Sequence, residues 1–338
     1  MNGYIAAAAK VRSLFGEILN EGTYDDLLSK KNVSEVAGYL KSNKIYKEAL
    51  SANSSSEFHR GDLEILLRKQ FVMETNRIYK HITNENLSFF YDFNLEFEIS
   101  ILKNILRCYL TEGRWKYNYI DLSFEKGRTF NFADLVSSVD IDELIMKIRK
   151  TKMSKYILPL VSEKNPALIH AIETNLDLYY FDNIYKSAEK HLEGADLEFI
   201  KHYLGTKADL YNIFLILRMK KYFRWTRDRI IPYIVNHYEK LSPDFISKLA
   251  DSKDAAECID MLKKTIYANI AGDSGFDILM KKYYFAKYMP KIRQSIDFRT
   301  LIYYFKLKKI DIDNLITITE SVRYGYGKEE TKDIIVYK

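Results

Sequence analysis

Proline and glycine are scarce in this chain, which has 5 prolines and 13 glycines among 338 residues. The first proline along the sequence is Pro159. Folds rich in β-strands need many tight turns, and tight turns draw heavily on these two residue types. Their scarcity therefore favours long helices joined by few turns.

Cysteine is also rare, since only Cys108 and Cys258 occur, each among apolar residues at helical spacing. Single thiols of this kind behave as small core residues rather than as a disulfide framework, which favours a reducing compartment. The longest apolar run lies near Ile213–Leu217, far short of the roughly 18 residues that a membrane span requires. The first ten residues place no positive charge ahead of their apolar stretch, unlike a signal peptide. We expect a cytoplasmic protein with no membrane span, peripheral to any membrane complex it joins.

Motifs for catalysis and cofactor binding are missing. A phosphate-binding loop requires Ser or Thr after its Gly-Lys pair, whereas Gly327-Lys328 is followed by Glu329. The six histidines form no His-x-x-x-His pair of the kind that binds zinc, and no Gly-x-Ser-x-Gly elbow occurs. We predict no enzymatic activity, no cofactor and no metal site.

Helical periodicity dominates what is present. Apolar residues recur at intervals of three and four through Arg60–His81, Ala167–His191 and Phe276–Ser295. No segment sustains the two-residue alternation of a half-buried strand. The sequence therefore predicts an all-α fold.

Three segments resemble one another and suggest an internal repeat. Glu98–Arg107, Asp209–Arg218 and Asp297–Lys306 each begin with an acid and reach a base nine residues later, with an apolar stripe between them. A simpler explanation is that each acid lies in the first turn of a helix and each base in the last, where both complement the helix dipole. Thr206 and Asp209 would then form a capping box.

A second motif supports the repeat. An apolar residue, a base and then a tyrosine recur at Leu40-Lys41…Tyr46, Ile148-Arg149…Tyr156 and Leu262-Lys263…Tyr267. The order matches that of the acidic markers, about a third of the chain apart. The last pair of markers is closer, with 88 residues from Asp209 to Asp297 against 111 from Glu98 to Asp209. We predict a three-fold repeat whose third copy is shortened.

Positive charge is concentrated in two aromatic-rich stretches. The first runs from 218 to 229 with six basic residues and one acid, and the second from 281 to 309 with nine basic residues and one acid. One interpretation is a solvated helix face along which lysine stems cover apolar surface. The other is a docking face for an acidic partner.

Three segments resemble the C subunit family of V-type and A-type rotary ATPases, whose eukaryotic equivalent is the d subunit of the V-ATPase. They are the opening Tyr4-Ile-Ala-Ala-Ala-Ala-Lys-Val-Arg12-Ser-Leu14, the stretch from Tyr24-Asp-Asp-Leu-Leu28 to Tyr46, and Phe305-Lys-Leu-Lys-Lys-Ile-Asp-Ile-Asp-Asn-Leu315. The resemblance runs over the whole chain, through loose patterns of apolar and charged residues.

The resemblance implies a funnel of three similar helical domains around a pseudo-three-fold axis, here residues 1–115, 116–225 and 226–338. It implies a non-catalytic coupling protein that joins the central stalk to the membrane rotor ring and transmits torque for ion transport. The implied partners are the D and F subunits of the central stalk, the rotor ring and, transiently, the membrane stator, with no nucleic acid.

Three-fold symmetry would bring the bases at the ends of the marker helices around one opening, where they would seat the stalk. The predicted partner-binding residues are Arg107, Arg218 and Lys306, with Lys220, Arg224 and Lys308 adding to a positive rim. The competing account is that these bases only cap their own helices. Two other functions stay open, a helical-repeat adaptor and a nucleic-acid-binding protein that uses interleaved basic and aromatic residues.

Overall fold

The computed structural model describes residues 3–51, 58–116, 129–161, 168–268, 276–288, 290 and 296–337. Regular structure in these ranges is helical and includes no strand, which confirms the all-α prediction. No helix within them is both long and apolar enough to cross a membrane. The chain forms two compact units, unit 1 (Met1–Leu87, Trp115–Ser137, Lys281–Lys338) and unit 2 (Ser88–Arg114, Ser138–Met280). The three-domain funnel stays a prediction.

The helices follow the predicted periodicity. In chain order they are α1 (Ile5–Leu14), α2 (Glu21–Leu28), α3 (Val33–Ser42), α4 (Lys47–Ser51), α5 (Arg60–Tyr79), α6 (Asn84–Glu112), α7 (Phe132–Val136), α8 (Ile141–Arg149), α9 (Ser154–Val161), α10 (Leu168–His191), α11 (Gly194–Arg218), α12 (Arg227–Ile230), α13 (Pro243–Asp251), α14 (Ala255–Leu262), α15 (Phe276–Tyr288), α16 (Phe298–Tyr324) and α17 (Lys328–Ile334). The periodic segments give α5, α10 and α15, and residues 289 and 291–295 at the end of the third lie outside the described residues.

Side-chain hydrogen bonds mark where several helices begin, and a glycine marks where α16 ends. Asn32 begins α3 by accepting a hydrogen bond from the Glu35 amide, and Asp140 begins α8 by accepting one from the Glu143 amide. Asp297 begins α16 in a capping box with Thr300. Gly325 ends α16 in the left-handed conformation at φ 72°, which glycine adopts without a Cβ penalty.

The core of unit 1 surrounds α16, which packs on α5 and α1. Lys308 lies inside this core at 1% exposure, with its Nζ 3.4 Å from Glu74 and 3.6 Å from Asp311. The Tyr46 hydroxyl donates to Asp311 at 2.7 Å, and the Tyr24 hydroxyl donates to the other oxygen of the same carboxylate. A buried ammonium is thus compensated by two carboxylates.

Asp209 occupies the corresponding central position in unit 2. It is fully buried on α11 and accepts a hydrogen bond from the Tyr267 hydroxyl at 2.8 Å. It also accepts three backbone N–H bonds, from Lys240 at 2.7 Å and from Glu239 and Leu241 at 3.2 Å. Gly205, one turn earlier, lets this loop approach, because a Cβ there would lie 3.1 Å from the Tyr238 carbonyl oxygen.

The same local arrangement occurs in both units. Asn212 of unit 2 exchanges two hydrogen bonds with the Val235 main chain, both at 2.9 Å. Asn314 of unit 1 exchanges two with Val336, at 2.6 and 3.0 Å. Each asparagine lies three residues after the buried aspartate of its helix, Asp209 or Asp311, and each aspartate accepts from a tyrosine of the predicted apolar-base-tyrosine motif, Tyr267 or Tyr46.

These positions correct, for two of the three acids, the explanation of the markers as terminal dipole residues, although the base Arg218 does lie in the last turn of α11. Glu98 and Asp209 are buried in the middle of α6 and α11, and of the three marker acids only Asp297 lies at a helix start. Thr206 does not cap a helix either, because its hydroxyl donates to the His202 carbonyl within α11. Asp311, not Asp297, is the local counterpart of Asp209.

Candidate partner-binding site

The structure distributes the predicted partner-binding bases over both units. Unit 2 holds Arg107, Arg218, Lys220 and Arg224, and unit 1 holds Lys306 and Lys308. Lys220 and Lys308 are 7% and 1% exposed, so the expectation that they form an exposed rim does not fit their positions. Lys306 is half-buried, with its Nζ 4.5 Å from the centroid of the Tyr284 ring.

Two of these bases line one cavity in unit 2. Helices α6, α10 and α11 surround a space of about 360 Å³, which we call the unit 2 cavity. On α11, Lys207, Tyr211 and Arg218 are spaced four and seven residues apart, so they share one face of the helix. The cavity is lined by Glu96, Lys103, Arg107, Glu173, Thr174, Asp177, Tyr180, Phe181, Lys207, Tyr211, Phe214, Leu215, Arg218 and Met280.

Ion pairs join the helices across this cavity. Arg107 on α6 lies 2.5 Å from Glu173 on α10, and Lys103 lies 2.6 Å from Asp177. The residue number rises on α6 as it falls on α10, so the two helices run antiparallel here. Lys207 on α11 lies 2.7 Å from Glu96 on α6. Three of the four bases in the lining are therefore neutralised by its three acids.

Arg218 is the fourth base, and its guanidinium is held by a neutral group. It donates a hydrogen bond to Nδ1 of His170 at 2.9 Å. Because arginine only donates hydrogen bonds, Nδ1 is the acceptor and the imidazole carries its proton on Nε2. Burial, followed by the charge of Arg218, lowers the pKa of His170. Among the described residues no carboxylate lies within ion-pair distance of Arg218, which leaves the cavity lining one net positive charge.

Tyr180 lines the cavity and carries a buried hydroxyl. Its ring lies beneath the Lys207 ammonium, 4.0 Å from Nζ to the ring centroid. The side chain is 2% exposed, and its hydroxyl has no hydrogen-bond partner within the part of the chain that the structure describes. Burial raises the pKa of Tyr180 well above its usual value, so the hydroxyl keeps its proton at neutral pH. A buried hydroxyl without a partner is unfavourable. Because less than 1 Å² of this oxygen is accessible, the cavity does not offer it to a ligand.

An unusual turn follows α11. Met219–Phe223 forms a π-helical turn, and Arg224 adopts the left-handed conformation at φ 51°. Such conformations are unfavourable for residues other than glycine and concentrate at functional sites. Tyr222 is 66% exposed, and the exposed Arg224 and Arg229 have no ion-pair partner among the described residues. We call Met219–Arg229 the basic turn.

Sequence reasoning missed Lys103, Lys207 and Tyr180, which complete the cavity around Arg107 and Arg218. A usable signal was present, since Lys103 and Arg107 are four residues apart, as are Glu173 and Asp177. Such matched spacing on two helices permits paired ion bridges between them. Within the described residues, no group of three or more His, Cys, Asp and Glu side chains could hold a metal.

Similarity to known proteins extends over nearly the whole chain. The family model described as ATP synthase (C/AC39) subunit matches residues 7–334. The C subunit of the A-type ATP synthase of Methanobrevibacter smithii is 24% identical over 98% of this chain and 88% of its own. The C subunits of the A-type ATP synthases of Methanosphaera stadtmanae and Methanosarcina acetivorans are 24% and 22% identical, over 80% and 79% of this chain and 68% and 71% of theirs. The resemblance noted in the sequence is thereby confirmed.

Proposed function

Because the chain belongs to the ATP synthase (C/AC39) subunit family, we propose that it is the coupling protein of a rotary A-type or V-type ATPase. In this role it joins the central stalk to the membrane rotor ring and transmits torque for ion transport. Its relatives are named as C subunits of A-type ATP synthases, and we assign the chain no active site of its own.

The observation that best supports a partner-binding role is that, among the described residues, no carboxylate compensates the positive charge of Arg218. A guanidinium held by a neutral imidazole at the edge of a cavity presents its remaining donors to an incoming acidic group. Arg224 adds positive charge just beyond the end of α11, on the basic turn. These residues suit a partner surface that carries carboxylates or a helix C-terminus.

The proposed partner of these bases is the central stalk, formed by the D and F subunits. Arg107, Arg218 and Arg224 of unit 2 and Lys306 of unit 1 are the residues we assign to it. The rotor ring and, transiently, the membrane stator are further partners in this proposal. Lys220 and Lys308 are left out because their side chains are buried.

Binding of the purified full-length chain to the purified D–F pair tests this function. We expect a stable complex at physiological salt, and no saturable heat when ATP is titrated into the chain alone. A single-stranded oligonucleotide serves as the competing ligand, since the exposed Tyr222 and the bases of the basic turn also suit nucleic acid. Absence of the stalk complex, together with salt-sensitive oligonucleotide binding, would contradict the proposal.

A further inference from the structure

His170 lies next to both Arg218 and Glu173, two residues that line the unit 2 cavity. Its Nδ1 accepts a hydrogen bond from Arg218 at 2.9 Å and lies 4.0 Å from Oε2 of Glu173. The other carboxylate oxygen of Glu173, Oε1, is bound to Arg107 at 2.5 Å. The four side chains thus connect α11 through α10 to α6. We call Arg218, His170, Glu173 and Arg107 the Arg–His–Glu cluster.

A single atom of His170, Nδ1, can serve only one of its two neighbours. While Nδ1 carries no proton, it accepts from Arg218. A proton added to the neutral imidazole goes to Nδ1, because Nε2 already carries one. Nδ1 then becomes a donor, so it can no longer accept from Arg218 and can bind Glu173 instead. Protonation therefore exchanges one partner of His170 for the other and releases the guanidinium.

The charges around His170 decide when this exchange takes place. The charged groups that face it are Arg218 on α11, Arg107 on α6 and Glu173 on its own helix, so the free cluster has one net positive charge. Among the described residues its other neighbours bring no charge, and they are Ala171, Thr174, Met219, Phe223, Trp225 and Tyr233. Burial and then Arg218 lower the pKa of His170, and Glu173 opposes them only in part. The free imidazole is therefore neutral at pH 7 and holds Arg218.

A carboxylate bound to Arg218 makes the charged form of His170 more favourable. It brings the net charge of the cluster from plus one to zero, so the added charge of an imidazolium is less unfavourable. It also replaces Nδ1 as an acceptor for the guanidinium, whose fork matches two carboxylate oxygens. The freed Nδ1 is left beside Glu173, the one acid of the cluster. His170 is therefore protonated more readily in the complex than in the free chain, and by linkage binding takes up protons.

We propose that the Arg–His–Glu cluster binds a carboxylate of a partner protein together with a proton, which His170 receives at Nδ1 as Arg218 binds the incoming carboxylate. The proton comes from solvent, to which 42% of the His170 side chain is exposed. The affinity rises as pH falls from the pKa of His170 in the complex to its lower pKa in the free chain, and it is constant outside this window. The inference rests on the proposed function only for the identity of the partner. His170 is a positioning residue, because it acts through Arg218.

Heteronuclear NMR of the full-length chain labelled at histidine tests the cluster without a partner protein. The His170→Gln variant identifies the resonances of His170, whose Nδ1 should carry no proton at pH 7.5. Sodium acetate, substituted for sodium chloride at a constant ionic strength of about 0.2 M, should raise the pKa of His170. Arg218→Gln should abolish this response. Glu173→Gln should lower the pKa of His170 in chloride, and His237 is the internal control that should not respond to acetate.

Calorimetric titration of the D–F pair into the full-length chain measures the same coupling with the proposed partner. Between pH 7.5 and 5.5 the affinity of the wild type should rise by at least about threefold more than that of His170→Gln, whose amide accepts from Arg218 but takes up no proton. Titrations in two buffers of different ionisation enthalpy should show more proton uptake by the wild type than by this variant. His237→Gln is the matched control and should keep the wild-type pH dependence. Thermal melting checks that each variant is folded at both pH values.

Three results would overturn this inference. They are a protonated Nδ1 in the neutral imidazole of His170, a pKa of His170 that does not respond to acetate, and the same pH dependence of stalk affinity in the wild type and in folded His170→Gln. A chain that responds to acetate but does not bind the D–F pair at any pH would refute the proposed function alone. Stalk binding without a response of His170 to acetate would refute this inference alone.

Discussion

Asp209 shows how a single buried carboxylate organises the loop that precedes α13. It accepts three backbone N–H bonds and one tyrosine hydroxyl, so its removal leaves several buried donors without partners. We expect Asp209→Ala to lower the free energy of unfolding by about 3 kcal/mol or more. Asp297→Ala, which removes an N-cap and a partly exposed ion pair with Arg299, should lower it by about 1 kcal/mol. Urea unfolding of the two variants measures the difference, and equal effects would contradict the structural distinction between the two acids.

His170 makes the stability of the chain depend on pH in a defined direction. Its pKa is lowered from the usual 6.5 by burial first and then by Arg218, while Glu173 opposes the shift. The unfolded state therefore binds the proton more readily, so this contribution to stability is present above pH 6.5 and is lost as pH falls below it.

The test compares the wild type with His170→Gln, whose amide oxygen can still accept from Arg218. The wild type should lose more stability than the variant between pH 7.5 and 5.5 in urea unfolding. His237, whose pKa burial also lowers, is present in both proteins and cancels in the comparison. Identical pH profiles would show that His170 does not titrate as described.

The sequence predicted the bounds of the long helices more accurately than it predicted where particular acidic residues lie along each helix. Apolar periodicity predicted α5 and α10 closely, because the buried face of a helix repeats at a fixed interval. It could not distinguish a terminal acid from a buried mid-helix acid, since Asp209 and Asp297 both precede an apolar stripe. The better signal was the Asp-x-x-Asn pattern, which Asp209 and Asp311 share.

The candidate site was predicted only in part, for a related reason. Arg107 and Arg218 were identified as bases near equivalent positions, and both line the unit 2 cavity. Whether a lysine in an apolar stretch is buried depends on tertiary partners that lie far away in sequence. Lys308 is compensated by Glu74 on another helix, a pairing that helical periodicity alone does not reveal.

Helix α16 carries two lysines whose substitution should have different effects. Lys308→Ala leaves Glu74 and Asp311 as uncompensated buried carboxylates, so we expect it to lower the free energy of unfolding by about 3–5 kcal/mol. Lys306→Ala removes a half-buried ammonium above Tyr284 and should lower it by about 1 kcal/mol or less. Thermal or urea unfolding separates the two, and a mild effect of Lys308→Ala would place its ammonium outside the core.

At the scale of the whole molecule, the proposed coupling role requires a surface that holds the stalk without catalysing a reaction. The ATP synthase (C/AC39) subunit family model covers residues 7–334, so the family assignment rests on nearly the whole chain. Bases outside the core are available to that surface, whereas bases in the core stabilise a unit. Reversing the charge of bases outside the core should therefore change the affinity for the stalk without unfolding the protein.

The central claim is tested most directly by the affinity of the full-length chain for the purified D–F stalk pair. Simultaneous reversal of Arg107, Arg218 and Lys306 to glutamate should weaken this binding by at least about tenfold at physiological salt, and by more at low salt. Reversal of the exposed Lys186, Lys190 and Lys248 makes an equal change in net charge and should leave the affinity near that of the wild type. Circular dichroism should show that both variants remain folded. Undiminished stalk binding by the first variant would contradict the account.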